Sequence, residues 1–142
     1  MKFIIGSDHI GLDLKNHLIK YLESENQKIE DLGTYDNKRC DYYEIANKLT
    51  RKKINNDAKY GILICGTGVG MSIAANRRKG IRAVCCSDIY SAKMSRRHND
   101  SNVLCIGSRV IGFENATEIF KEWLKTDFEG ERHLNRVKAL DM

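Results

Sequence analysis

The sequence predicts an α/β fold in which a parallel sheet carries helices on both faces, and three observations support this prediction. Five short apolar runs alternate with longer amphipathic runs along the chain. The short runs are rich in Ile and Val, as expected of strands that are covered on both faces. The chain contains no proline, and no linker-like, low-complexity or repeated segment interrupts the alternation. The expected architecture is a three-layer α/β/α, Rossmann-like sandwich with a five-stranded parallel sheet and a C-terminal helix.

The strand candidates are each about five residues long. They lie at Lys2–Gly6, Gln27–Asp31, Tyr60–Cys65, Ile81–Cys86 and Val103–Gly107. The helix candidates carry apolar residues at helical spacing, such as Leu14, Leu18 and Leu22 in the first helix. The helices are expected at Gly11–Asn26, Asp41–Asn55, Met71–Arg78, Ser87–His98, Glu114–Thr126 and Glu131–Leu140.

Length and composition indicate one domain over residues 1–142. A chain of 142 residues with 42% hydrophobic and 30% charged residues is able to bury one core but is short for two domains. No apolar run approaches the roughly 18 residues that cross a bilayer, and the N-terminus enters a strand directly. We therefore expect a cytoplasmic protein without a membrane partner.

Net charge and cysteine usage narrow the classes of ligand. The 24 Lys and Arg against 19 Asp and Glu give a net charge of +5, which suits phosphorylated metabolites and, less specifically, nucleic acid. The five cysteines are odd in number and contain no C-x-x-C spacing, which disfavours a disulfide framework or a zinc site. Cys85, Cys86 and Cys105 lie within strand runs, where buried free thiols are expected.

The ligand crevice of such a sheet lies beyond the carboxyl ends of its strands, where the winding of the chain reverses. Winding outward from the first strand in both directions gives an order that begins 2-1-3, with the crevice between strands 1 and 3. The segments that leave these two strands are Ser7-Asp8-His9 and Cys65-Gly66-Thr67-Gly68-Val69-Gly70. Asp8 and His9 are expected to face Cys65 across the crevice, although Asp8 also stands where a cap of the first helix would be.

Three glycines at alternate positions, Gly66, Gly68 and Gly70, connect a buried strand to a helix. Such a loop lets backbone N–H groups converge on an anion, with help from the helix N-terminus. It is not the dinucleotide fingerprint, whose third glycine would fall on Met71, and it lacks the G-K-[ST] of a P-loop. Two interpretations of the loop remain: it binds an anion without a cofactor, or it is a tight turn with no ligand. Cys65 opens the loop, where the same dipoles favour a thiolate that acts as base or nucleophile.

His98 lies in the polar segment Arg96-Arg97-His98-Asn99-Asp100, and imidazole titrates near neutral pH. This segment precedes the fifth strand and so lies at the amino edge of the sheet, a strand length of roughly 16 Å from Cys65. If both residues serve one site, they come from two subunits, which predicts a symmetric homodimer. The alternative is a helix C-terminus whose cations favour the helix dipole.

Arginines supply candidate phosphate ligands in two further places. Arg132 and Arg136 are four residues apart on one face of the last helix, a spacing that suits a single phosphate group. Arg109 directly follows the fifth strand. The alternative interpretation of the arginine pair is a solvated helix face.

Together these motifs closely resemble the type B ribose-5-phosphate isomerases and the related galactose-6-phosphate and allose-6-phosphate isomerases. The resemblance spans nearly the whole chain, and its specificity comes from an ordered set of segments. These are Gly6–His9, Asp31–Thr34, Ile64–Gly70, Ala74–Asn76, Gly80–Ala83, Ser95–Asp100, Gly107–Arg109 and Gly130–His133.

The resemblance implies a dimeric or tetrameric enzyme of the non-oxidative pentose phosphate pathway, with strand order 2-1-3-5-4. Such an enzyme interconverts aldose and ketose phosphates without a metal or an organic cofactor. The resemblance assigns proton transfer between C1 and C2 to Cys65, and ring opening to His98 from the partner subunit, with Thr67 nearby. It assigns binding of the sugar and its phosphate to Asp8, His9, the backbone of Gly66, Thr67, Gly68, Val69 and Gly70, and Asn99, Arg109, Arg132 and Arg136.

Two alternative functions stay open at this point. An isomerase of a six-carbon sugar phosphate uses the same loop with a pocket of different length. A non-catalytic nucleotide- or nucleic-acid-binding domain would use the net positive charge, but no aromatic platform interleaves with the basic residues. Two residues depart from the family pattern: Ile10 replaces a smaller residue, and Tyr43 stands where proline is usual. We expect both to alter loops near the site.

Overall fold

The computed structural model describes residues 2–55 and 58–142, which form a five-stranded parallel sheet between layers of helices. The strands are β1 (Lys2–Ser7), β2 (Lys28–Asp31), β3 (Tyr60–Cys65), β4 (Ala83–Cys85) and β5 (Val103–Gly107). The helices are α1 (Leu12–Ser24), α2 (Tyr42–Ile54), α3 (Val69–Ala75), α4 (Ile89–Asn99), α5 (Phe113–Lys125) and α6 (Arg132–Ala139). The predicted fold class is confirmed, and each predicted element is present within a few residues of its expected bounds. None of the helices in the two described ranges combines the length and apolar character needed to cross a membrane.

The sheet is covered on both faces, which explains why its interior strands β1, β3 and β5 are buried along nearly their whole length. Strand side chains on one face pack with α1, α4 and α5 around the fully buried Phe120 and Trp123. On the other face they pack with α2 and α3 around the fully buried Leu49 and Met71. Removing this apolar area from water, at about 25 cal/mol per Å², is the main force that holds the three layers together.

The strand order is β2-β1-β3-β5-β4, and every neighbouring pair is parallel. This confirms the order that the resemblance implies, whereas simple outward winding fails beyond strand 3. All residues of β5 are buried, while β4 passes from a buried to an exposed residue within three positions. The fully apolar β5 therefore takes the interior place, and β4 takes the edge.

The edge strand β4 is shorter than the predicted range Ile81–Cys86 because side-chain amides replace the backbone ladder at its start. The Asn102 side chain accepts a hydrogen bond from the Arg82 N–H at 2.8 Å. The Asn76 side chain accepts from the Ala83 N–H and donates to the Ala83 carbonyl, both at 2.8 Å. These contacts end the ladder and cover part of the free edge.

A buried ammonium group fixes the segment that follows β2. Lys15 on α1 is fully buried, and its Nζ donates to both carboxylate oxygens of Asp31, at 2.6 and 2.8 Å, and to the carbonyl of Thr34. The segment after β2 that Lys15 holds also forms backbone hydrogen bonds with the end of β1. There the Ser7 N–H donates to the Gly33 carbonyl and the Thr34 N–H donates to the Ser7 carbonyl, both at 2.7 Å. The ion pair therefore fixes the backbone that enters the candidate site.

Lys15→Ala is expected to lower the free energy of unfolding by about 3 kcal/mol, because it leaves a partly buried carboxylate without its cation. Urea unfolding followed by circular dichroism measures this change. Lys20→Ala, on the exposed side of the same helix, is the matched control and is expected to cost less than about 0.5 kcal/mol. Equal losses of unfolding free energy in the two variants would show that the buried ion pair does not stabilise the fold.

Candidate active site

Cys65 ends β3, and its thiol lies against the glycine loop, which comprises residues 66–70. The sulfur accepts a hydrogen bond from the Gly68 N–H at 3.1 Å, and the side chain is only 5% exposed. The structure therefore places this sulfur beside a fixed backbone donor.

Close packing of the glycine loop on the sheet requires two glycines. Gly68 adopts a left-handed conformation with φ of 82°, and a Cβ there would lie 2.9 Å from the Cys85 sulfur. A Cβ on Gly107, at the end of β5, would lie 2.6 Å from the Thr67 carbonyl carbon. A side chain at either position would push the loop off the sheet.

The residues that leave β1 reach the same edge of the sheet. The Asp8 carboxylate accepts a hydrogen bond from the Gly11 N–H at 3.0 Å, so one of its oxygens holds the turn into α1. His9 accepts a hydrogen bond from the Cys40 N–H through Nδ1 at 3.3 Å. Because Nδ1 is the acceptor, the neutral ring carries its proton on Nε2. That nitrogen is the donor that His9 offers to a ligand.

His9 and Arg109 line one cavity of about 350 Å³ beside the glycine loop. Ser108 joins the loops around this cavity. Its hydroxyl donates to the carbonyls of Ile10, at 3.0 Å, and Cys65, at 3.3 Å. An imidazole donor and a guanidinium group in one cavity are suited to a phosphate.

The two departures from the family pattern lie around the glycine loop. Ile10 lines the cavity of His9, and its Cγ2 is 3.7 Å from the Cβ position of Gly66. Tyr43 is exposed and lies edge-on to Tyr42. The Tyr42 ring comes within 2.9 Å of the Cβ position of Gly70. Ile10 therefore lies beside the loop, and Tyr43 packs against Tyr42, which lies beside it as well.

His98 and Asn99 end α4 at the opposite edge of the sheet from Cys65. Shortly after them, the Asn102 carbonyl accepts a hydrogen bond from the N–H of Gly61, near the start of β3. Cys65 lies at the other end of that strand. The four-residue rise between the two ends is about 13 Å. One chain therefore keeps its candidate base and its candidate ring-opening residue apart, as the topology predicted.

A second cavity, of about 240 Å³, lies between α4 and α6 and is lined by His98, Asn99 and Arg136. The buried His133 also lines it, and its ring stacks on His98 with centroids 4.3 Å apart and planes inclined by 13°. No sequence pattern marks a role for His133, because a buried ring leaves no signal in so polar a helix. Arg132 lies one turn from Arg136 on the same helix, as the spacing predicted.

Glu129 links α6 to α4 through two arginines. Its carboxylate accepts hydrogen bonds from Arg97 at 2.8 Å and from Arg132 at 3.2 Å, and its N–H donates to the Arg97 carbonyl at 2.9 Å. Ligand-type atoms of His98, Glu129 and His133 lie within 4.8 Å of one another, a spacing that a metal ion bridges after small shifts. Because guanidinium groups already hold both carboxylate oxygens, this cluster is better suited to an anion.

The cysteines follow the prediction with one exception. All five are free thiols. Cys86 and Cys105 are buried, and burial raises the pKa of Cys86 to about 12 and the pKa of Cys105 well above its usual value. The prediction that Cys85 is a core residue is wrong, since it ends the edge strand β4 and is exposed. Its thiol donates to the Thr67 carbonyl at 3.4 Å, so it borders the glycine loop.

Comparison with known proteins gives consistent matches over nearly the whole chain. The profile of the Ribose/Galactose Isomerase family matches residues 3–140. Ribose-5-phosphate isomerase B of Escherichia coli (strain K12) is 47% identical over 139 residues, which are 98% of this chain and 93% of that protein. The structure of Clostridium thermocellum ribose-5-phosphate isomerase B has a TM-score of 0.98 at 43% identity and covers 99% of this chain and 95% of that one. The Mycoplasma genitalium enzyme with bound ribulose-5-phosphate has a TM-score of 0.92 at 38% identity, with coverages of 98% and 93%.

Glu129→Gln is expected to loosen α6 from α4 in a pH-dependent manner. The hydrogen bond from Arg97 is the main cause of a lowered pKa of the Glu129 carboxyl. A carboxyl whose pKa is lowered by folding stabilises the protein above its usual pKa of about 4.3, and this contribution is lost as the pH falls through the lowered value. Thermal unfolding should therefore show a less stable variant at about pH 7 and a shrinking difference below about pH 4. A difference that does not change with pH would contradict this account.

Proposed function

This chain belongs to the ribose/galactose isomerase family, and on that premise we propose that it interconverts ribose 5-phosphate and ribulose 5-phosphate. The proposal is supported by relatives named ribose-5-phosphate isomerase B, one of which holds ribulose-5-phosphate in its crystal. The observation that carries it is the Cys65 sulfur beside the glycine loop, with the Gly68 N–H directed at it. The same proposal assigns the reaction to the non-oxidative pentose phosphate pathway.

Isomerisation needs a base that moves a proton between neighbouring carbons. In this proposal the Cys65 thiolate removes the proton from C2 of the open-chain aldose, and the electron pair of that bond forms an enediolate with negative charge on O1. The thiol returns the proton to C1, while the O2 hydroxyl loses its proton and O1 gains one, which gives the ketose. Backbone N–H groups of the glycine loop and the Thr67 hydroxyl stabilise the charge, and one such donor is worth about 2.7 to 4 kcal/mol.

The remaining groups bind the closed sugar and open its ring. His98 exchanges protons with the ring oxygen and the C1 hydroxyl, a role for which imidazole has both a donor and an acceptor nitrogen. The phosphate and the sugar hydroxyls are held by polar and cationic groups from both sheet edges. These groups are Asp8, His9, Asn99, Arg109, Arg132, Arg136 and the backbone of residues 66–70.

We propose a homodimer in which each site takes one sheet edge from each subunit; a tetramer would contain two such pairs. A two-fold axis that crosses the strands beside β4 sets the carboxyl edge of one subunit against the amino edge of the other. Exposed apolar side chains on α3 and α4 support this choice, because such an interface would bury them. They are Val69, Ile73, Ile89 and Tyr90.

We place the enzyme in the cytoplasm. Five free thiols and the absence of disulfides among the described residues support a reducing compartment. The pathway intermediates that it would convert are phosphorylated and charged, so they do not cross membranes unaided.

The substrate is tested by comparing kcat/KM for ribose 5-phosphate, allose 6-phosphate and galactose 6-phosphate. The pentose is expected to be preferred, because Ile10 occupies part of the cavity that His9 and Arg109 line. A higher kcat/KM for either hexose would overturn the pentose assignment and leave isomerase chemistry in place.

In the same assay, Cys65→Ala is expected to reduce turnover of ribose 5-phosphate by at least about 100-fold, since it removes the base. Calorimetry is expected to show that the sugar phosphate still binds. Cys86→Ala is the matched control, because that thiol lies on the other face of the sheet. Turnover near the parent level in Cys65→Ala would refute the assignment of the base.

A further inference from the structure

The cavity between α4 and α6, at the amino edge of the sheet, is lined by two stacked imidazoles. The proposed function uses only one of them. His98 lies in the last turn of α4 and His133 in α6. Their centroids are 4.3 Å apart and their planes are nearly parallel, at 13°. His98 is half-buried, whereas His133 is only 5% exposed. Of the two rings, His98 is therefore the one that reaches a ligand more readily.

The surroundings of His133 disfavour the protonated form of its ring. Burial is the main cause of its lowered pKa, followed by the positive charges of Arg132 and a protonated His98. The charge of Arg136 acts in the same direction, and only Glu129 opposes them. Two protonated rings at this separation would also repel each other.

The stack is braced from outside by the ion pairs that join α6 to α4. Glu129 precedes α6 and bonds Arg97 of α4 through both its side chain and its backbone N–H. The His133 N–H donates to the Gly130 carbonyl at 2.9 Å, which sets the start of α6. The His133 ring therefore has a fixed place against His98 before any ligand binds.

We propose that His133 is a positioning residue for ring opening: it stacks on His98 and holds that imidazole in the orientation needed to exchange protons with the closed sugar. The inference rests on the proposed function, since it refines the ring-opening step assigned to His98. It does not require His133 to contact the substrate. His133 has no hydrogen-bond partner for its buried Nε2 among the described residues, so stacking is the interaction through which this ring acts on His98.

The test compares two aldose phosphates. Ribose 5-phosphate exists as a furanose that has to be opened, whereas erythrose 4-phosphate carries its phosphate on O4 and is unable to close a furanose ring. His133→Ala is expected to lower kcat/KM for ribose 5-phosphate by at least about tenfold more than for erythrose 4-phosphate. His133→Phe keeps an aromatic ring for the stack and is expected to restore most of the loss.

The controls separate positioning from other roles. Leu134→Ala changes an exposed side chain of the same helix and is expected to leave the ratio of the two kcat/KM values unchanged. A raised KM for both sugars in both His133 variants would mean that His133 binds substrate, and it would overturn the proposal. Equal losses on both sugars together with a lowered Tm in His133→Ala would mean a structural role and would also overturn it.

A separate readout keeps this inference distinct from the proposed function. If the parent enzyme turns over neither sugar, the proposed function fails, but the stack is still measurable by NMR. An adjacent aromatic ring imposes a ring-current shift on the His98 ring protons. In His133→Ala their chemical shifts are expected to differ from those of the parent protein. In His133→Phe they are expected to keep a ring-current displacement like that of the parent. His98 shifts that are unaffected by His133→Ala would overturn the positioning role.

Discussion

The geometry of the site follows from the close packing of the glycine loop against the end of β5. Gly107 lies so close to the Thr67 backbone that a Cβ has no space, and this close approach brings the Gly68 N–H to the Cys65 sulfur. The donors of the loop are therefore in place before a ligand arrives. Donors that need no reorganisation during the reaction stabilise developing charge more effectively than water does.

The same parallel sheet places the candidate catalytic and binding residues at two different edges. The carboxyl edge carries Cys65, His9 and Arg109, and the amino edge carries His98 and Arg136. Neither edge of a single chain combines the candidate base with the candidate ring-opening group. Symmetric association is the simplest way to join them, and activity would then depend on subunit concentration as well as on folding.

The sequence predicted the features that depend on neighbouring residues alone, such as the strands and the position of Cys65. Strands buried on both faces are visible as runs of Ile and Val, and Cys65 stands out because it lies between such a run and three glycines. Features set by tertiary contacts were not accessible in this way. Cys85 lies in an apolar run, but its exposure follows from the place of β4 at the edge. Ser108 acts through carbonyls of two distant loops, and His133 is buried only because α6 packs against α4.

Subunit mixing is the sharpest test of a site that two chains complete together. Cys65→Ala and His98→Asn proteins, each inactive alone, are combined under conditions that permit subunit exchange, and turnover of ribose 5-phosphate is followed. Random exchange makes half of all dimers mixed, and each mixed dimer has one intact site of its two, so about a quarter of the parent activity is expected to return. Verified exchange without any recovery would show that one chain supplies the whole site.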